Sequence, residues 1–238
     1  MPYADLTERT LRSQSGMFER TVWSLAPPTG RPTAAVLFLD AELYLERVGA
    51  APVVRRLQER QAIPAAVAVF LSGGGAAARH DDFVCRPEYA RFVAGDLVES
   101  VREEHPSLTE IVIAGLSLSG LAAAYAATRH PAVFRAAVCQ SPSFWWERGR
   151  FAEELAAAPQ AGPEFWICVG SRETDVGLSH PPSGLRQGLT QIAGCVSAAA
   201  ALRAKGYRLS YREYDGGHDP MCWRDDLSLA LPWVLRRE

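Results

Sequence analysis

The sequence predicts an α/β fold: a mostly parallel central sheet with helices on both faces. Three observations predict it. Short apolar runs alternate with helical patterns along 238 residues, the arrangement that buries a sheet between two helical layers. One stretch opens with a short β-branched run, residues 111–113, and passes through a Gly-flanked turn into residues 121–127, a strong helix former. Finally, the residues able to do chemistry fall just after such runs, where helix-covered sheets place their sites.

Taken in order, residues 18–25 alternate well enough for a half-buried strand, and Pro27-Pro28-Thr29-Gly30 turns the chain. Residues 34–39 read as a central strand ending at Asp40-Ala41-Glu42. A helix over about 48–61 precedes a strand at 65–71, and Gly73-Gly74-Gly75 then leads as a loop to Arg79-His80-Asp81-Asp82. Phe92, Val93, Leu97 and Val101 recur at helical spacing within 87–104, and His105-Pro106 ends that helix. Further strands are predicted at 136–141, 165–170 and 207–214, a helix at about 189–205, and a last helix at 227–235, interrupted near Pro232. The polar stretch 1–17 reads as peripheral to one domain spanning 1–238.

Composition narrows the function. Hydrophobic residues make up 48% and charged residues 22%, with a net charge of −2, so neither nucleic acid nor a membrane surface is an expected partner. The five cysteines form no CxxC pair, which fits a reducing compartment, and the polar N-terminus lacks the apolar core of a signal peptide; a cytoplasmic protein is expected. No His/Cys cluster has ligand spacing, so neither metal nor cofactor is expected.

The chemistry centres on Gly115-Leu116-Ser117-Leu118-Ser119-Gly120. A strand, a sharp turn and a helix with serine at the apex form a nucleophile elbow, G-x-S-x-G, although Ser119 stands where the second glycine belongs. A serine hydroxyl needs a base. His218, in Asp215-Gly216-Gly217-His218-Asp219 directly after the last predicted strand, is the candidate, because two glycines let that loop present the ring. His105 and His130 precede prolines after helices and read as helix-end residues; His80 lies in a polar loop within reach of a substrate; His180, before Pro181-Pro182, reads as surface loop. A carboxylate to orient the imidazole should follow an intervening strand, and residues 171–175 offer Glu173 or Asp175. Oxyanion donors are expected from the main chain of Leu118, beside the nucleophile, and of Ala41, in the loop after an earlier strand.

Four blocks together resemble the enterochelin (enterobactin) esterase family, ferric-siderophore trilactone hydrolases of the wider esterase D and antigen 85 group. Residues 114–121 resemble A-G-x-S-x-G-G-L; Gln140-Ser141-Pro142-Ser143-Phe144-Trp145-Trp146 resembles Q-S-x-S-[YF]-W-W; Asp215 to Arg224 resembles D-G-G-H-D-x-x-C-W-R; and Leu37 to Asp40 resembles L-L-D-G, with Ala41 in place of its glycine. The resemblance implies an α/β-hydrolase fold with Ser117 as nucleophile, His218 as base and Glu173, in Gly170-Ser171-Arg172-Glu173, as the acid. It implies a small-molecule ester substrate, an iron siderophore that brings its own iron; because the likeness runs from about residue 18 to the end, the separate N-terminal domain of the longer family members is not expected here. For an anionic aromatic ligand, Arg79 and Arg224, and less so Arg172, are the expected anion contacts, with Trp223, Trp145 and Trp146 available to stack or to pack. Three other readings stay open: an esterase for a sugar acetate, feruloyl or natural-product ester; an acyltransferase with the same triad; and a non-catalytic siderophore-binding protein.

Overall fold

The computed structural model describes residues 5–155, 158 and 162–235. An eight-stranded sheet runs β1 (Thr7–Arg12), β2 (Glu19–Leu25), β4 (Ala66–Leu71), β3 (Ala34–Leu39), β5 (Glu110–Leu116), β6 (Ala136–Gln140), β7 (Glu164–Gly170), β10 (Leu209–Tyr214) in spatial order. The pairings β1–β2 and β2–β4 are antiparallel, and the rest are parallel. The fold is that of the α/β-hydrolases, mostly parallel and covered on both faces.

Central strands β3, β4 and β6 are buried along their whole length, which is why they read as continuous apolar runs. Successive side chains point to opposite layers. On one face Val36, Phe38, Ala68 and Phe70 pack with α1 (Ala50–Glu59) and α8 (Pro220–Val234) through Val54, Leu227 and Leu231. On the other, Leu37, Leu39, Val69 and Leu71 meet α3 (Pro87–Phe92), α4 (Val98–Glu104), α5 (Ser117–Arg129) and α7 (Gln191–Ala204). Phe38 stacks on Phe70 at 4.8 Å in the first layer. Truncating so buried a ring to alanine costs about 3–5 kcal/mol.

Several predicted boundaries move. The helix expected at about 48–61 is α1, and an unexpected π turn over Leu43–Val48 precedes it, separated from it by Gly49 at φ 69°. The expected loop after the glycines holds α2 (Ala76–Asp82). The last helix begins seven residues earlier than expected, at Pro220, because Asp219 caps it through Met221 N at 2.7 Å, and it runs on through Pro232. Part of the stretch expected to be peripheral is β1, the outer strand of the sheet; its first four residues lie outside the described ones. Short α6 (Arg150–Glu154) and a two-residue hairpin, β8 (Ser179–His180) with β9 (Leu185–Arg186), were not expected.

Candidate active site

Strand β5 ends in a turn that only small residues can make. A Cβ on Gly115 would lie 2.0 Å from Ser119 O, so strand and helix touch there. Gly120 packs the helix against the next strand's exit, where a Cβ would stand 3.0 Å from that of Pro142. Ser117 takes φ 52°, a strained value for a residue with a side chain, and opens α5 at the carboxyl end of the sheet. Being in the first turn of the helix, Leu118 N–H has no intrahelical acceptor. Asp40 has φ 72°, and the chain enters a helical turn at Ala41. Phe38 pairs with Ala114 as the last register pair of the parallel strands β3 and β5, so the chain leaves both strands at the same edge of the sheet, towards Ala41 in one and Ser117 in the other.

His218 follows β10 in a loop whose ring points back across the sheet edge. Its Nδ1 lies 2.6 Å from Glu173 Oε2. Glu173 is buried and also accepts, at Oε1, from Ser141 Oγ at 2.6 Å and Gly170 N at 2.7 Å. Burial pushes this carboxyl up, but the bonds from His218, Ser141 and Gly170 outweigh it and hold the group below the usual carboxylate range. A carboxylate facing Nδ1 accepts the N–H of that nitrogen and so keeps the hydrogen there, which in the neutral imidazole leaves the free lone pair on Nε2.

Ser117, Glu173 and His218 line one cavity of about 170 Å³, with Ser143, Trp145, Arg172, Asp175, Leu178, His180, Gln187 and Gln191. Among the described residues the partner of Ser117 Oγ is Ser143 Oγ at 3.4 Å. A larger cavity, about 420 Å³, lies at the opposite end of the sheet beside Gln58 and Pro64, remote from these groups.

Of the residues expected to meet a substrate, Trp145 and Arg172 line this cavity, whereas Arg79, Arg224, Trp223 and Trp146 are not part of its lining. Arg79 Nε is bonded to buried Asp40 at 2.6 Å, and Arg224 Nε donates to Val48 O at 2.7 Å. Trp223 is buried behind His218, its ring perpendicular at 4.8 Å and its Nε1 donating to Ser141 Oγ. Trp146 packs against the core as a partly buried ring. Arg172 pairs with Asp215 at 2.7 Å, but both side chains are largely exposed, so that pair contributes little. Asp175 lines the cavity without the bond to His218 that Glu173 makes.

His180 is the residue that the sequence misplaced. It stacks on Trp145 at 4.9 Å and 14°, inside the cavity rather than on the surface, and the hairpin that carries it is bonded to His80 through Ser183 Oγ at 2.7 Å. Burial, then the nearby His218 and Arg79, holds His180 below the ordinary histidine value, so it favours the neutral ring. Among the described residues no group of three or more His, Cys, Asp or Glu side chains could hold a metal ion, and no helix is long and apolar enough to cross a membrane.

Residues 14–234 match the family described as "Putative esterase". The chain is 28% identical over 225 residues to the iron(III) enterobactin esterase of Escherichia coli K12, covering 89% of this chain and 52% of that protein. It thus spans about half the length of the curated relatives it matches. Among solved structures, the enterochelin esterase of Shigella flexneri superposes with a TM-score of 0.84 at 25% identity, covering 99% of this chain and 59% of that one. The Shigella flexneri enterobactin esterase solved in the presence of enterobactin superposes at 0.82, also with 25% identity, over 96% and 58% of the two chains.

Proposed function

The chain belongs to the putative esterase family, and we propose that it is a serine carboxylic-ester hydrolase that opens ester or lactone bonds of a siderophore-like substrate. One observation carries this reading: an elbow serine at φ 52° shares a cavity with a histidine whose Nδ1 is held at 2.6 Å by a buried carboxylate.

Rotation about the Ser117 Cα–Cβ bond turns Oγ from Ser143 towards His218 Nε2, which takes the proton as Oγ attacks the ester carbonyl. Glu173 keeps the ring in the productive tautomer and stabilises the imidazolium. The N–H groups of Leu118 and Ala41, both in first helical turns, receive the oxyanion. His218 then protonates the leaving alkoxide, and water, deprotonated by the same ring, releases the acyl group. We place this activity in the cytoplasm: the five cysteines are free thiols, which suits a reducing compartment.

The siderophore part of the reading draws on the relatives, whose names give iron(III) enterobactin and salmochelin as substrates. Its test is a comparison of ferric enterobactin with a sugar acetate, a feruloyl ester and a short p-nitrophenyl ester. Faster opening of the trilactone supports the reading; brisk turnover of another ester with an inert trilactone replaces the substrate but keeps the chemistry. Rate enhancement by an added alcohol, with a new ester formed, turns the assignment to acyl transfer.

A further inference from the structure

We infer that Ser141 is a positioning residue, whose hydroxyl ties the carboxylate holding His218 to the tryptophan that backs the same ring. The inference rests on reading Ser117, His218 and Glu173 as the ester-cleaving set.

Ser141 is the residue after β6, fully buried, with φ 42°. Its N–H continues the sheet to Cys168 O at 2.7 Å, and its carbonyl accepts from the Gln191 side chain. Glycine would take this left-handed backbone without strain. Serine adds a hydroxyl, and that hydroxyl is surrounded: Glu173 Oε1 at 2.6 Å, Trp223 Nε1 at 3.0 Å and Tyr214 OH at 3.0 Å. An indole N–H only donates and an ionised carboxylate only accepts, so the single Ser141 hydrogen goes to Glu173 while its oxygen receives Trp223. Tyr214 OH in turn reaches Gly217 O at 3.1 Å, in the loop that carries His218.

The hydroxyl therefore joins the two supports of the imidazole. Glu173 holds the ring at Nδ1, and Trp223 sets its plane by an edge-on contact at 4.8 Å and 89°. Of the titratable groups around His218, Glu173 and Tyr214 bond to Ser141, whereas Arg172, Asp175 and His180 line the cavity. Without the hydroxyl, Trp223 N–H would be left buried and unpaired, and Glu173 would lose a donor that shares its charge, so its pull on an imidazolium would grow.

The experiment compares Ser141→Gly, which removes hydroxyl and strain together, with Ser141→Ala, which removes the hydroxyl alone, on a p-nitrophenyl ester. Both should lower kcat about tenfold to a hundredfold, the effect of losing one hydrogen bond to a charged group. KM should stay within about twofold, since uniform substrate binding is untouched. The acid-side limb of kcat/KM should move to higher pH in both variants. If Ser141→Gly does not fold, Trp223→Phe must lower kcat in its place. A folded Ser141→Gly enzyme with wild-type kcat and an unmoved limb, while Ser117→Ala is inert, overturns the positioning role alone. Full activity in Ser117→Ala overturns the catalytic reading and this inference with it.

Discussion

Ser119 Oγ closes the turn whose apex is Ser117: it receives Leu116 N–H at 2.9 Å and donates to Leu116 O at 2.8 Å. The residue that departs from the glycine pattern thus satisfies both backbone groups of the residue before the apex. It is one half of a capping box, with a serine at the third helical position reaching back to the N-cap. The close approach expected of the second glycine is made instead at Gly120, against Pro142.

Ser119→Ala should therefore lower stability by about 1–2 kcal/mol, the size of a lost cap left with an unpaired buried N–H. Gly115→Ala should do far more, because its methyl would meet backbone at 2.0 Å. Denaturant unfolding ranks the two; equal losses would contradict the assignment of roles within the turn.

Glu173 and Asp175 are separable by kinetics. Glu173→Gln keeps the shape but loses the charge that stabilises the imidazolium and the tautomer it selects, and kcat should fall by about 10²–10⁴. Asp175→Asn should leave kcat within a few-fold, since His218 bonds to Glu173. A larger loss in the asparagine variant would move the acid role to Asp175.

The same carboxylate predicts a pH dependence of stability. Its folded value is depressed, because the hydrogen bonds to its ionised form outweigh burial. Its contribution is therefore complete above the unfolded value of about 4.3 and is lost as pH falls through the lower folded value. Between pH 5 and pH 3 the wild type should lose more unfolding free energy than Glu173→Gln; parallel losses in guanidinium titrations contradict this.

Arg79 is engaged by Asp40, 3% exposed, immediately before the Ala41 amide. Arg79→Met should cost about 3–5 kcal/mol, because it strands a buried carboxylate. Asp40→Asn combined with Arg79→Met should recover part of that loss. Additive losses in the double variant would show that the pair is not coupled.

Much of this architecture was legible because the buried strands are long apolar runs and the elbow needs small residues at fixed places. Ser117, His218 and Glu173 follow three different strands, and its two glycines and its place after the last strand separated His218 from the other histidines. What was not legible had weak local signals. Strand β1, TERTLR, has one buried side chain, Leu11, as an outer strand can. Helix α2 buries only Asp82, which is held by Arg20 and Arg86 rather than by an apolar stripe. The start of α8 did carry a signal, Asp219 followed by Pro220, which is a cap and a first-turn proline. Side-chain direction is beyond sequence pattern: Arg224 and Trp223 adjoin the site in the chain, yet one reaches Val48 and the other sits behind the histidine. His180 is the reverse case, a residue that its two following prolines made read as surface loop, yet it sits in β8 and stacks on Trp145 in the cavity.

The most direct measurement is the intact mass of the protein after reaction with a fluorophosphonate, followed by peptide mapping. The account predicts one adduct, on Ser117, absent in Ser117→Ala and formed much more slowly in His218→Ala. An adduct on another residue, or undiminished labelling in either variant, would contradict it.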